Sequence, residues 1–145
     1  MSVLKPVTGK RPKLIGTDLD GTIVAHYGFI SERTKIAFTA AHEAGIHIYF
    51  VTGRPIRWMV EIKENFGFGT GICANGALLY DFNNEKVLEE WLFPVDAQLE
   101  TVKRLRQVLP NVSFAVEIGK DFSREKKYVP RWDVGQDNVG VDKIE

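Results

Sequence analysis

Two aspartates one residue apart, Asp18 and Asp20, follow the short apolar segment 13–17 and run into Gly21-Thr22. In an extended chain, side chains two positions apart point the same way, so both carboxylates can face one site. Gly21 lets the backbone turn sharply away. Two carboxylates this close repel unless a proton or a cation lies between them. A hard, oxygen-seeking cation such as Mg2+ meets that need. The same residues would also make an ordinary polar turn, because aspartate and glycine are common there. A second apolar segment weighs against that reading. It ends in Phe50-Val51-Thr52-Gly53-Arg54-Pro55, where Thr52 offers a hydroxyl and Gly53 exposes backbone N–H groups at an expected helix start. A helix start attracts anions through its free N–H groups and dipole. Thr52 can equally serve as a helix cap, and a capping hydroxyl can also face a phosphate.

The elements that hold these residues are readable from periodicity. Residues 1–12 form a loose arm broken by Pro6, Gly9 and Pro12. A strand over 13–17 runs into Asp18. Ser31 caps a helix over 32–44, with Ile36, Ala37, Ala40, Ala41 and Ala44 expected on its inner face and Gly45 ending it. Residues 46–51 form a strand covered on both faces. Pro55 opens a second helix that ends near Gly67, burying Ile56, Met59, Val60 and Phe66. A third strand covers 71–74. Strands alternating with helices imply a doubly wound parallel sheet, in which ligands bind beyond the carboxyl ends of the strands. After Asn75 the pattern changes. Segments 78–80 and 86–88 flank Asn83-Asn84 as a hairpin. Asp96 caps a helix with Leu99, Val102, Leu105, Val108 and Leu109, stopped by Pro110. Residues 112–118 alternate as a half-wet strand. The expected architecture is α/β. A Rossmann-like core half over 1–82 precedes part of an α+β unit over 83–145.

Asp18-Leu19-Asp20-Gly21-Thr22 resembles the first motif of the haloacid dehalogenase (HAD) superfamily. Val51-Thr52-Gly53-Arg54-Pro55 resembles its second motif in the Cof-type (IIB) branch, whose cap lies between the second and third motifs. Ala74-Asn75-Gly76-Ala77 is similar to the segment after that branch's third strand. The resemblance implies a Mg2+-dependent phosphatase of small phosphorylated metabolites, sugar phosphates among them. Asp18 would attack phosphorus, and Asp20 would be the acid and base. The Asp18 side chain and the Asp20 carbonyl would bind Mg2+. Thr52 and Gly53 would hold the phosphate. Arg54 is a candidate further substrate contact, and Asn75 either contacts substrate or makes a turn. The family also uses a third-motif lysine and a fourth-motif acidic pair after the cap. Asp137-Asn138, Asp142, Lys126, Lys127 and Lys143 are poor matches to them. The chain is therefore expected to be incomplete and weakly active or inactive. It is also expected to associate, with itself or with a missing C-terminal segment, through an exposed first strand. The rival readings are a non-catalytic phosphate-binding or interaction domain of the same fold, and a phosphomutase.

Composition narrows the classes. The 145 residues carry 19 basic and 19 acidic side chains, a balance that argues against a general nucleic-acid binder. No apolar run is long enough to span a bilayer. A single cysteine, Cys73, excludes an internal disulfide, fits a cytoplasmic protein and reads as a small buried hydrophobe. His26, His42 and His47 lack metal-ligand spacing. Trp58 reads as packing, and Glu117, Lys120 and Arg124 as a solvated face.

Overall fold

The computed structural model describes residues 9–26 and 28–130. Asp137, Asn138, Asp142 and Lys143 lie outside them. One sheet contains β1 (Leu14–Asp18), β2 (His47–Val51), β3 (Thr70–Cys73), β4 (Leu78–Asp81) and β5 (Lys86–Glu90), in that spatial order. β1, β2 and β3 are parallel, with Asp18 opposite Val51 and Val51 opposite Ile72. Their carboxyl ends therefore share one rim. β4 and β5 run antiparallel to complete a mixed α/β sheet. The hairpin expected around Asn83-Asn84 is present, but it extends the sheet of the parallel strands. The division expected after residue 82 falls inside its turn, and the sheet runs on to Glu90.

The core forms around Phe50 of β2, which is fully buried. Phe66 stacks on it at 5.3 Å, Phe82 meets it edge-on at 5.9 Å, and Phe38 lies at 6.3 Å. These spacings are those of favourable aromatic pairs. Phe38 comes from α1 (Glu32–Glu43), which Ser31 caps through a bond accepted from the Thr34 N–H at 3.1 Å. The inner face of α1 differs from expectation. Phe38 and Ala41 pack on the core, whereas Ile36 is 68% exposed. The Phe38 ring, which lies opposite Ile36 on the helix, outweighs that isoleucine in buried area.

The segment after Pro55 is not one helix. A 3-10 turn at Ile56–Trp58 precedes α2 (Val60–Asn65). Ile56, Met59 and Ile62 are buried, Phe66 packs on the core, and Val60 is exposed, against expectation. The exposed linker Trp91-Leu92-Phe93 leads to α3 (Val95–Val108), which starts at Pro94 rather than at an Asp96 cap. Of its five expected apolar positions, only Val102 is buried. The strand expected over 112–118 is shorter: β6 (Ala115–Ile118) pairs antiparallel with β7 (Asp121–Arg124). No helix among the described residues is long and apolar enough to cross a membrane.

Candidate active site

Beyond β1 the chain folds back on itself at once. The Leu19 carbonyl accepts bonds from the N–H groups of Thr22, Ile23 and Val24 at 2.9–3.1 Å, and the Gly21 N–H donates to the Val24 carbonyl at 2.8 Å. Gly21 sits at φ +81°, a conformation that L-residues resist. Leu19 and Val24 are buried under this turn. Strand alternation then turns Asp18 and Asp20 to the opposite side, where both line an open cleft of about 880 Å³. Asp18 accepts a bond from the Thr22 hydroxyl at 3.0 Å.

β2 supplies the facing wall. Thr52 is buried, and its N–H continues the sheet to the Ile72 carbonyl at 2.9 Å. Its hydroxyl accepts the Arg54 N–H at 3.0 Å. It therefore shapes the turn rather than capping α2, which the 3-10 turn separates from it. A hydroxyl that accepts one bond still has a proton to donate. Gly53 also lines the cleft, and a Cβ there would lie 3.0 Å from Asn75 Oδ1. Ala74 and Asn75 both adopt left-handed backbone, at φ +50° and +57°. They are fixed by bonds from the Ala74 N–H to the Arg54 carbonyl, 2.9 Å, and from the Asn75 N–H to the Thr52 carbonyl, 3.2 Å. Asn75 thus backs the Thr52–Gly53 turn and is not one of the residues lining the cleft.

Arg54 closes the site electrostatically. Its guanidinium grips Asp20 in a two-point clasp, Nε to Oδ2 at 2.9 Å and Nη2 to Oδ1 at 2.5 Å. It also reaches Glu61 from Nη1 at 3.4 Å. The hydrogen bond from Arg54 holds the Asp20 carboxyl below its usual value, against a weaker opposing push from burial. The clasp raises Arg54 in turn. Trp58, Val60 and Glu61, which the sequence reading left out of the site, complete the cleft. Their place within nine residues of Thr52, on the turn that must leave the strand end, was the available signal. Lys126 and Lys127 are exposed beyond β7 and do not line the cleft. Cys73 is buried, and burial pushes its thiol up to about 11, an inert state.

The donor set can be weighed for a metal. Asp18, Asp20 and Glu61 against one Arg54 leave an acidic cleft, unsuited to a phosphate without added positive charge. Among the described residues no three His, Cys, Asp or Glu side chains are arranged to hold a metal ion by themselves. Two adjacent carboxylates suit a hard cation that keeps several waters, as Mg2+ does.

A sequence model of haloacid dehalogenase-like hydrolases matches residues 15–140. The chain belongs to this family. Within it, the chain is similar to pyridoxal phosphate phosphatase YbhA of Escherichia coli, 31% identical over 96 residues, covering 66% of this chain and 35% of that protein. It is also similar to 5-amino-6-(5-phospho-D-ribitylamino)uracil phosphatase YcsE of Bacillus subtilis, 32% identical over 72 residues, or 49% and 29% of the two chains. The chain thus spans about a third of the length of these curated relatives. A solved Bacteroides thetaiotaomicron phosphatase of the HAD superfamily, BT1666, shares the fold with TM-score 0.71 at 22% identity, over 90% of this chain and 47% of that one. The subclass IIB sugar phosphatase BT4131 does so with TM-score 0.60 at 23% identity, over 77% and 43%.

Proposed function

We propose that this member of the haloacid dehalogenase-like hydrolases provides the nucleophile, the acid–base carboxylate and the phosphate contacts of a Mg2+-dependent phosphatase acting on small phosphomonoesters. The observation that carries this reading is the convergence of Asp18, Asp20, Thr52 and Gly53 on one cleft at the carboxyl ends of β1 and β2. The phosphatase names of the relatives, one acting on pyridoxal phosphate, support it.

The Asp18 carboxylate attacks phosphorus as the P–O bond to the leaving group breaks, giving an aspartyl-phosphate. The departing oxygen takes a proton from Asp20. Water then attacks phosphorus, gives its proton to Asp20, and releases phosphate and the free Asp18 carboxylate. Asp20 must therefore be neutral when the ester arrives. Its clasp with Arg54 favours the ionised form, so Arg54 must let go of Asp20 as substrate enters, and it is then free to meet the phosphate. The Thr52 hydroxyl and the Gly53 N–H would hold a phosphoryl oxygen. The Asp18 carboxylate and the Asp20 carbonyl would hold Mg2+, which offsets charge on the phosphoryl group when bound.

The test is hydrolysis of p-nitrophenyl phosphate by the chain with Mg2+, together with trapping of the phosphoenzyme. Asp18→Asn should lower turnover at least about 10³-fold, beyond the usual effect of losing one stabilising group, and leave nothing to trap. Undiminished turnover in this variant overturns the assignment. The small acidic set among the described residues favours a second reading, phosphate binding without turnover. Phosphate binding by a chain that never forms the phosphoenzyme would select it.

A further inference from the structure

The cleft has two chemically different zones. One is polar and contains Asp18, Asp20, Thr52 and Gly53. The other is walled by Trp58 and Val60. We propose that Trp58 is a specificity-determining residue that receives a flat, aromatic leaving group on the phosphomonoester. This rests on the phosphatase reading above and adds the substrate class.

Three observations support it. The first is that an apolar wall is kept open where burial would be favourable. Val60 is 56% exposed although Met59 and Ile62, on either side of it in the chain, are buried. An exposed apolar surface beside a polar centre is the usual form of a small-molecule site. The second is that the Trp58 ring is set in place before any ligand arrives. The Arg57 guanidinium lies 4.9 Å from the Trp58 ring centroid and 4.8 Å from that of Phe122. Arg57 is itself tied to Glu117 of β6 at 2.6 Å, and its side chain is only 10% exposed. A ring held this way loses little further freedom on binding, and preorganisation of that kind favours affinity.

The third observation weighs against a polyol body. Sugar hydroxyls need donors and acceptors on the wall that receives them, because unpaired polar groups lose affinity. Of the polar side chains that line the cleft with Trp58 and Val60, Arg54 is taken up by bonds to both Asp20 and Glu61. The indole and valine faces offer contact area and little hydrogen bonding. A planar ring gains from that surface, both by area and by ring–ring geometry.

The experiment is calorimetric titration of the full chain, with Mg2+, using three ligands that cannot turn over: inorganic phosphate, phenylphosphonate and 2-hydroxyethylphosphonate. Phenylphosphonate should bind about tenfold more tightly than the hydroxyethyl compound, the scale of one favourable aromatic contact. Trp58→Leu, which keeps apolar bulk but removes the ring, should bring that ratio close to one. Trp58→Phe should retain most of it. Equal affinities for the two phosphonates in the wild-type chain overturn the inference, whatever the variants do. A preference that survives Trp58→Leu overturns it as well. If none of the three ligands binds, inorganic phosphate included, the phosphatase reading falls first and takes this inference with it.

Discussion

The Arg54–Asp20 clasp sets the resting charge of the cleft, and its sign can be checked. Replacing Arg54 by Met removes the interactions that lower the Asp20 carboxyl and leaves the effect of burial, which raises it. The Asp20 titration followed by carboxyl NMR should move to higher pH. An unmoved midpoint would show that Arg54 does not govern this group. Because the folded-state value is depressed, the pair stabilises the fold above the ordinary carboxylate range and is lost as pH falls through the lowered value. That contribution is small, since the Asp20 side chain is 60% exposed and screened by water. A second residue-scale prediction concerns Gly53. Gly53→Ala places a methyl 3.0 Å from Asn75 Oδ1 and should destabilise the chain by about 1–2 kcal/mol. Asn75→Ala in the same chain should recover most of that loss in a thermal-unfolding cycle. Simple addition of the two effects would mean that the contact is not what excludes a side chain there. That Asp18, Asp20, Thr52 and Gly53 would share one rim was legible in the sequence because each pair follows directly on an apolar strand; their chemical roles came only from the family resemblance. For Asn75 the sequence left a substrate contact and a turn residue equally open, because its approach to Gly53 joins two loops through space. Trp58 was read as packing because an indole satisfies that description equally well.

At the scale of elements, the turn between β4 and β5 carries its own pH dependence. Asp81 accepts bonds from the backbone and side-chain N–H groups of both Asn83 and Asn84, at 2.7–3.4 Å. The Asn84 amide, followed by that of Asn83, lowers its carboxyl from 3.8 to about 2. The turn should stay intact above pH 3.8 and loosen as pH falls toward 2. Amide protection at Asn83 and Asn84 is the readout, and protection indifferent to acid across that window would rule the account out. The hairpin was legible from Asn83-Asn84 between two apolar segments. That it joins the parallel strands was not, because β-branched and apolar runs do not state their partners. The same limit applies to α1. Its alanines and Ile36 make a stripe as convincing as the one containing Phe38, and only the position of Phe50 on β2 decides between them.

For the whole molecule, two contacts define behaviour. Arg57 ties the turn after Pro55 to β6 through Glu117 and to β7 through Phe122. Phe122→Ala, at a 6% exposed position, should cost about 3–4 kcal/mol. It should also speed hydrogen exchange in β6 and β7 more than in β2. Uniform exchange changes would show that the two sheets are not separately anchored. β1 is the other contact. Among the described residues it pairs with β2 alone, and Leu14 on it is 53% exposed. An apolar edge strand recruits further strands, so the chain should self-associate with concentration in light scattering. Leu14→Lys should reduce this, and a strictly monomeric wild-type chain would refute it.

The sheet order follows chain order from β1 to β5, and this has a consequence for assembly. Closing a short turn costs far less chain entropy than closing a long crossover. β4 and β5 meet through the turn at 82–85, and β3 joins β4 across residues 74–77. β1 reaches β2 only after residues 19–46 are spanned. Hairpins form in roughly 1–10 μs, while non-local parallel pairing is intrinsically slower. The sheet should therefore zip from its antiparallel margin inward. The strand carrying Asp18 would be fastened last, so Asp18 and Asp20 meet the Thr52–Gly53 turn only on a scaffold already in place.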